Sequence, residues 1–246
     1  MSSGSKSDGR PAEKVLRKAR IVKSFRFVLS NLRSSGRALV PGWVAGLGRR
    51  GVHTRVDATV THVLVGTGED LLARRTLKYL RAVASGLLVV SELWVEVCRR
   101  EPACLGRATE WEVRDKELEG AEGPRLAREA RQRGEGRRLM AGMEVLVREE
   151  LEGLDRPAVV DLLTRAGART VNAITSFNFS SGGGPKVELV DSVAWMEERE
   201  EDVVQQLRSN KVVMVKKDWL LDTICCYQIK PVSGLTNSGE IFLANN

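Results

Sequence analysis

Apolar and polar positions switch repeatedly between strand-like and helix-like spacing along this chain. Arg26-Phe27-Val28-Leu29 reads as a short strand running into a turn at Ser30-Asn31, and a Gly-rich helical segment follows over residues 36–47. Val60-Thr61-His62-Val63-Leu64-Val65 is a second run of strand type. Over residues 71–84 the apolar positions Leu72, Leu77, Leu80, Val83 and Ala84 fall at helical spacing and predict a helix. Leu87-Leu88-Val89-Val90 then reads as a buried strand, with Ser91 as N-cap of a helix over residues 91–98. Strands alternating with helices in this way predict a small α/β unit with a parallel sheet.

The pattern breaks between residues 112 and 138. That stretch holds eight basic and seven acidic residues and four glycines, with few large apolar ones. It cannot build a core of its own and reads as a linker with one exposed helix around residues 125–133. The order then recurs. Met143-Glu144-Val145-Leu146-Val147 is a strand, and residues 157–166 a helix with Pro157 in its first turn and Gly167 as its stop. Lys186-Val187-Glu188-Leu189-Val190 is a strand, residues 193–208 a helix, Lys211-Val212-Val213-Met214-Val215 a strand and residues 216–224 a last helix. In both halves a Val-Val strand leads into a helix carrying a tryptophan, Trp94 and Trp219, each read as a core anchor. The chain is therefore an internal repeat of one α/β unit.

Composition narrows the function classes. The 246 residues are 42% hydrophobic and 29% charged, close to the globular average. The longest nearly uncharged apolar run, residues 82–90, falls far short of the ~20 residues of a bilayer span. Of the net charge of +7, most sits on residues 1–25, where Lys6, Arg10, Lys14, Arg17, Lys18, Arg20 and Lys23 face two acids. A disordered basic tail with weak nucleic-acid contact is one expectation; a DNA-binding fold would carry its excess on the folded surface. Cys98, Cys104, Cys225 and Cys226 form no Cys-x-x-Cys pair, and His53 and His62 stand apart from them, so no metal or other cofactor is expected. Cys225-Cys226 reads as small buried hydrophobes of a protein in a reducing compartment. His62 reads as a structural strand residue. No P-loop follows the glycines of residues 182–184, and no nucleophile or metalloprotease motif occurs, so the chain is not expected to be an enzyme.

Arg75-Thr76-Leu77-Lys78-Tyr79, Val89-Val90-Ser91 with Trp94-Val95, and Trp219 with Leu221-Asp222 and Tyr227-Gln228 resemble tandem BRCT (breast-cancer C-terminal) repeats. The resemblance covers residues 26–231. It implies two tandem repeats, each a small four-stranded parallel sheet flanked by helices, packed head to tail. The implied layout is a basic tail (1–25), repeat 1 (26–111), a charged linker (112–140), repeat 2 (141–231) and a C-terminal tail (232–246). Pro41-Gly42 falls where the family has a continuous first helix, so that helix is expected to be shorter or to begin late. A longer protein of this family carries a zinc-binding RING with ubiquitin-ligase activity, which needs about eight Cys/His ligands and which these residues cannot form.

The family implies a nuclear, phosphoserine-dependent adaptor of the DNA-damage response, whose partners are phosphorylated DNA-repair proteins carrying pSer-x-x-Phe-like motifs. A phosphoserine brings about −1.5 to −2 charges and three acceptor oxygens, so its site needs a cation and several donors. By resemblance Lys78 is the cation, Ser30 supplies a hydroxyl, Asn31 a backbone N–H in place of the family's Gly, and Thr76 orients the ammonium. A pocket for the apolar side chain three residues on is implied at Arg75, Leu80, Leu207, Lys217 and Leu221. There Leu80 replaces an aromatic and Leu207 a methionine, and Arg75 offers main-chain hydrogen bonds. Two alternatives make different demands: a DNA-binding pair, or a scaffold indifferent to phosphorylation.

Overall fold

The structure, a computed structural model, describes residues 25–46, 52–134, 138–147, 151–180, 183–191 and 201–231. Residues 1–24, residues 232–246 and the first part of the helix expected over 193–208 lie outside the described residues.

The first repeat runs β1 (Phe27–Ser30), α1 (Ser34–Gly46), β2 (Val52–His53), β3 (His62–Val65), β4 (Leu72–Ala73), α2 (Leu77–Ala84), β5 (Leu88–Ser91) and α3 (Leu93–Arg100). A 3₁₀ segment (Pro102–Trp111), β6 (Arg114–Asp115) and α4 (Gly123–Gln132) lead to the second repeat. That repeat comprises β7 (Glu144–Leu146), α5 (Arg156–Ala166), β8 (Arg169–Val171), β9 (Lys186–Val190), α6 (Glu201–Ser209), β10 (Val213–Lys216) and α7 (Lys217–Cys226). The two four-stranded sheets run β2-β1-β3-β5 and β8-β7-β9-β10, every pair parallel. Strands of equal rank occupy equal places, so the repeat inferred from the residue pattern is a repeat of topology.

Both tryptophans are anchors. Trp94 is fully buried, its indole N–H donating to the Cys104 carbonyl at 3.1 Å. The His62 ring stacks on it at 5.6 Å with planes 4° apart. Burial holds the His62 imidazole neutral, its pKa pushed down to about 4. Phe25 packs edge-on against Trp94 and is buried, so the first core begins inside the stretch expected to be tail. Trp219 donates to the Lys230 carbonyl at 2.9 Å.

The repeats meet head to tail through α2, which packs against α5 and α7. One apolar cluster runs through both halves, from Val63, Tyr79 and Val83 to Val145, Leu163 and Leu220. Because α2 faces its own sheet and the other repeat at once, Tyr79, Leu80, Ala82, Val83 and Ala84 are all buried.

Three expectations are corrected here. The helix expected over residues 71–84 begins only at Leu77: Thr76 is extended and its hydroxyl caps the Tyr79 N–H, while Leu72 and Ala73 pair with β6. The first helix is neither short nor late. It runs from Ser34 through Pro41 to Gly46, since proline forfeits one internal hydrogen bond while Gly36, Val40 and Val44 keep a buried face toward α3. The expected exposed helix of the linker is instead half built into the core. Ala127 and Ala130 of α4 are buried, and α4 packs on both α2 and α7. A Cβ on Gly123 would fall 1.9 Å from the Cys225 carbonyl oxygen, so only glycine lets α4 abut α7.

Candidate functional site

β1 ends beside the N-terminus of α2, and that neighbourhood brings Ser30, Asn31, Thr76 and Lys78 together. The Ser30 and Thr76 hydroxyls share a hydrogen bond of 2.7 Å, which uses one of their two protons and leaves the other for a ligand. The Lys78 ammonium donates to the Leu29 carbonyl at 2.9 Å, which holds it over the end of β1 with two N–H donors to spare. Among the described residues no carboxylate pairs with it. Asn31 adopts φ +47°, the left-handed geometry asparagine tolerates, and turns the chain out of the strand. A Cβ on Gly66 would stand 2.3 Å from the Asn31 carbonyl oxygen, so the small residue after β3 is what seats this loop. The first turn of α2 adds the positive end of a helix dipole.

Residue spacing did not reveal what anchors the loop. Glu92, fully buried, accepts the Arg33 backbone N–H and the Arg33 Nε at 2.7 Å. Its carboxylate also fills the space where a Cβ of Gly36 would sit. A Glu following a strand end gives no local sign of reaching a loop some sixty residues earlier.

Next to this corner the two repeats leave a cleft of about 380 Å³, lined by Arg75, Thr76, Leu77, Leu80, Leu154, Asp155, Ala158, Lys217 and Leu221 among others. Thr76 belongs to both places, so the cleft and the polar corner are continuous. Its apolar walls come from α2 (Leu77, Leu80), from the loop before α5 (Leu154) and from α7 (Leu221). The Arg75 guanidinium joins the linker to repeat 2, donating to Asp115 at 3.1 Å and pairing with Asp222 at 2.8 Å. Burial works against its charge, but the Asp115 hydrogen bond and the neighbouring negative charges outweigh it and hold the group protonated above its ordinary range. Lys217 donates to the Glu152 carbonyl and lies 3.4 Å from Asp191.

Four of the five expected pocket residues, Arg75, Leu80, Lys217 and Leu221, thus line one cleft. Leu207 does not. It is 1% exposed in a separate cluster with Leu146, Val171, Phe177, Val190 and Met214, because α6 packs its apolar face on the sheet of repeat 2 away from α2. Leu154 stands in the cleft instead. Directly before the N-cap Asp155, which accepts from the Ala158 N–H at 2.7 Å, an apolar residue reads as a helix-entry staple, and so its position at the repeat junction was missed.

Burial pushes the Cys225 thiol well above its ordinary range, and among the described residues no group of three His, Cys, Asp or Glu could hold a metal ion.

No family model matches the chain. Over 177 residues, 71% of its length, it is 30% identical to the breast cancer type 1 susceptibility protein homolog of Rattus norvegicus, and equally to that of Mus musculus. The matched segment spans 9% of those proteins' length. Among solved structures, the fold resembles the BRCT5-BRCT6 domains of S. pombe Brc1, with a TM-score of 0.52 and 16% identity over 84% of this chain and 94% of that one. It also resembles Rtt107p (residues 820–1070), with a TM-score of 0.50 and 8% identity over 87% and 94%. Two parallel sheets of one strand order, the shared helical seam and these likenesses give the chain the fold of tandem BRCT repeats, and its sequence is similar to a segment of the breast cancer type 1 susceptibility protein homologs.

Proposed function

We propose that the chain is a phosphoserine-peptide-binding adaptor module of the DNA-damage response, acting in the nucleus on phosphorylated repair proteins. The observation that carries this reading is the convergence of Ser30, Thr76 and Lys78 at one end of an apolar inter-repeat cleft. A phosphoserine dianion would take the two spare Lys78 donors, one hydroxyl proton and the backbone N–H of Asn31, with the α2 dipole favouring its charge. Three residues of extended peptide span about 10 Å, enough to carry a side chain from that corner into the cleft. Leu77, Leu80, Leu154 and Leu221 would enclose an apolar side chain there, with leucines in place of an aromatic wall broadening the preference beyond Phe. A buried anchor of this kind is worth about 2 kcal/mol, and charge-assisted phosphate contacts a similar amount, so losing either would weaken a short peptide by about 30-fold.

The test is an oriented phosphoserine peptide library, paired with its unphosphorylated twin, applied to wild type and Lys78→Met. The expected result is selection of an apolar residue three positions after phosphoserine and a loss of about 10- to 100-fold in Lys78→Met. Binding indifferent to phosphorylation would favour a scaffold. Binding to DNA that is lost on deleting residues 1–24 and unaffected by Lys78→Met, with a steep salt dependence, would favour a nucleic-acid role.

A further inference from the structure

At the opposite end of α2 the same seam between the repeats opens into a second cleft, of about 500 Å³, with a different character. Asp57, Ser85, Gly86, Arg131, Arg138 and Arg165 are among its lining residues: three arginines against one aspartate. Arg165 is fixed within the fold by Asp161 at 2.9 Å, the Ser85 hydroxyl at 3.0 Å and the Val56 carbonyl at 3.0 Å. Arg131 and Arg138 each use Nη1 on a backbone carbonyl, Ser85 and Thr164 respectively, at 3.1 Å. Among the described residues neither has a carboxylate partner. Their stems are held by close packing: a Cβ on Gly86 would lie 2.9 Å from that of Arg131, and one on Gly167 2.6 Å from that of Arg138. Two guanidinium groups with most of their donors unspent are therefore aimed by the backbone rather than left on free tethers.

We propose that this cleft is a second oxyanion site, taking the phosphate monoester of a phosphorylated side chain. Guanidinium forks match phosphate oxygens two at a time, and Ser85 keeps its hydroxyl proton as a further donor while accepting from Arg165. At the negative end of α2 the Arg81, Ala82 and Val83 carbonyls are engaged by Ser85, Leu87 and Gly86, and the Ser85 carbonyl just beyond by Arg131. Asp57 is anionic but exposed and already holds the Thr59 N–H at 2.8 Å and hydroxyl at 2.6 Å. A compact anion fits better than a nucleic-acid backbone, because the flanking arginines are neutralised. Arg81 pairs with Asp161 at 2.6 Å, Arg128 with Glu112 at 2.8 Å and Arg125 with Glu129 at 3.1 Å, so these three do not extend the cleft's positive charge. The eight-residue α2 separates the two sites by about 12 Å of helix, so they would read different phosphates of one partner.

The experiment titrates O-phospho-L-serine, with L-serine and a single-stranded oligonucleotide as comparison probes, by isothermal calorimetry. It uses wild type, Lys78→Met, Arg131→Gln/Arg138→Gln and the triple variant. Both arginines are exposed, so the glutamine forms keep the fold, and an unchanged unfolding midpoint checks this. Phosphoserine binding should persist in Lys78→Met and fall at least about tenfold in the triple variant, with no response to L-serine. Loss of all phosphoserine binding in Lys78→Met overturns the second site, as does binding insensitive to the arginine pair. So does a response of the arginine pair to the oligonucleotide alone. If Lys78→Met changes nothing while the arginine pair still matters, the first site fails and the second stands.

Discussion

Arg75→Gln tests whether one guanidinium holds the repeats in the register that makes the first cleft. The Arg75 side chain is 15% exposed and lies between Asp115, fully buried, and Asp222, 33% exposed, at 3.1 and 2.8 Å. Glutamine can reach one of these at most, and it leaves the buried Asp115 without its cation. Breaking a buried ion pair by removing one partner typically destabilises by 3–5 kcal/mol, since the remaining charge stays desolvated. Asp115 keeps the Leu118 N–H at 2.9 Å, and Asp222 is partly solvated, so the low end applies, about 3 kcal/mol. For a chain of this length that lowers the thermal midpoint by about 6–12 °C. Circular dichroism melts and urea titrations of wild type, Arg75→Gln and Arg75→Lys measure it. Arg75→Lys should be intermediate, because an ammonium cannot fork onto two carboxylates. A double-mutant cycle with Asp222→Asn should give coupling of at least about 0.5 kcal/mol. A loss under about 1 kcal/mol in Arg75→Gln, or no coupling, refutes the bridging role.

Stability should also report on His62. Its folded pKa of about 4 lies below the unfolded value of 6.5 because burial disfavours the charged ring. In the window between those values the unfolded chain binds the proton and the folded one does not, so this contribution is complete above pH 6.5 and is lost as pH falls toward 4. The wild type should lose about 3 kcal/mol more than His62→Gln across that window in urea titrations, and parallel curves would contradict it. Leu154→Arg places a cation in the first cleft; fluorescence anisotropy should show binding of a pSer-x-x-Phe peptide weakened at least about tenfold with the fold intact, whereas unchanged affinity would remove Leu154 from the site. Gly66→Ala should weaken the same peptide and lower the melting point together, since the added methyl meets the Asn31 carbonyl; an unaltered affinity would show that the loop does not depend on that contact.

Much of this molecule was legible along the chain because the deciding physics is local. Short apolar runs set the strands, Pro157 marks the first turn of α5 and Gly167 closes it at φ +96°, and the Trp94 and Trp219 helices repeat one another. The Arg-Thr-Leu-Lys stretch placed Arg75, Thr76 and Lys78 close together, and the structure has Thr76 as the cap of the helix that carries Lys78. Side chains that meet through packing between distant elements were not legible. Nothing near Leu207 shows that α6 faces away from the seam, and nothing near Glu92 shows that it reaches the loop after β1. A count of charges across residues 112–138 could not show that Ala127 and Ala130 bury one face of α4. Periodicity determines which residues share a face of a helix or strand; which neighbour that face meets is decided only when the two repeats close on α2, where burial of apolar area outweighs local preference.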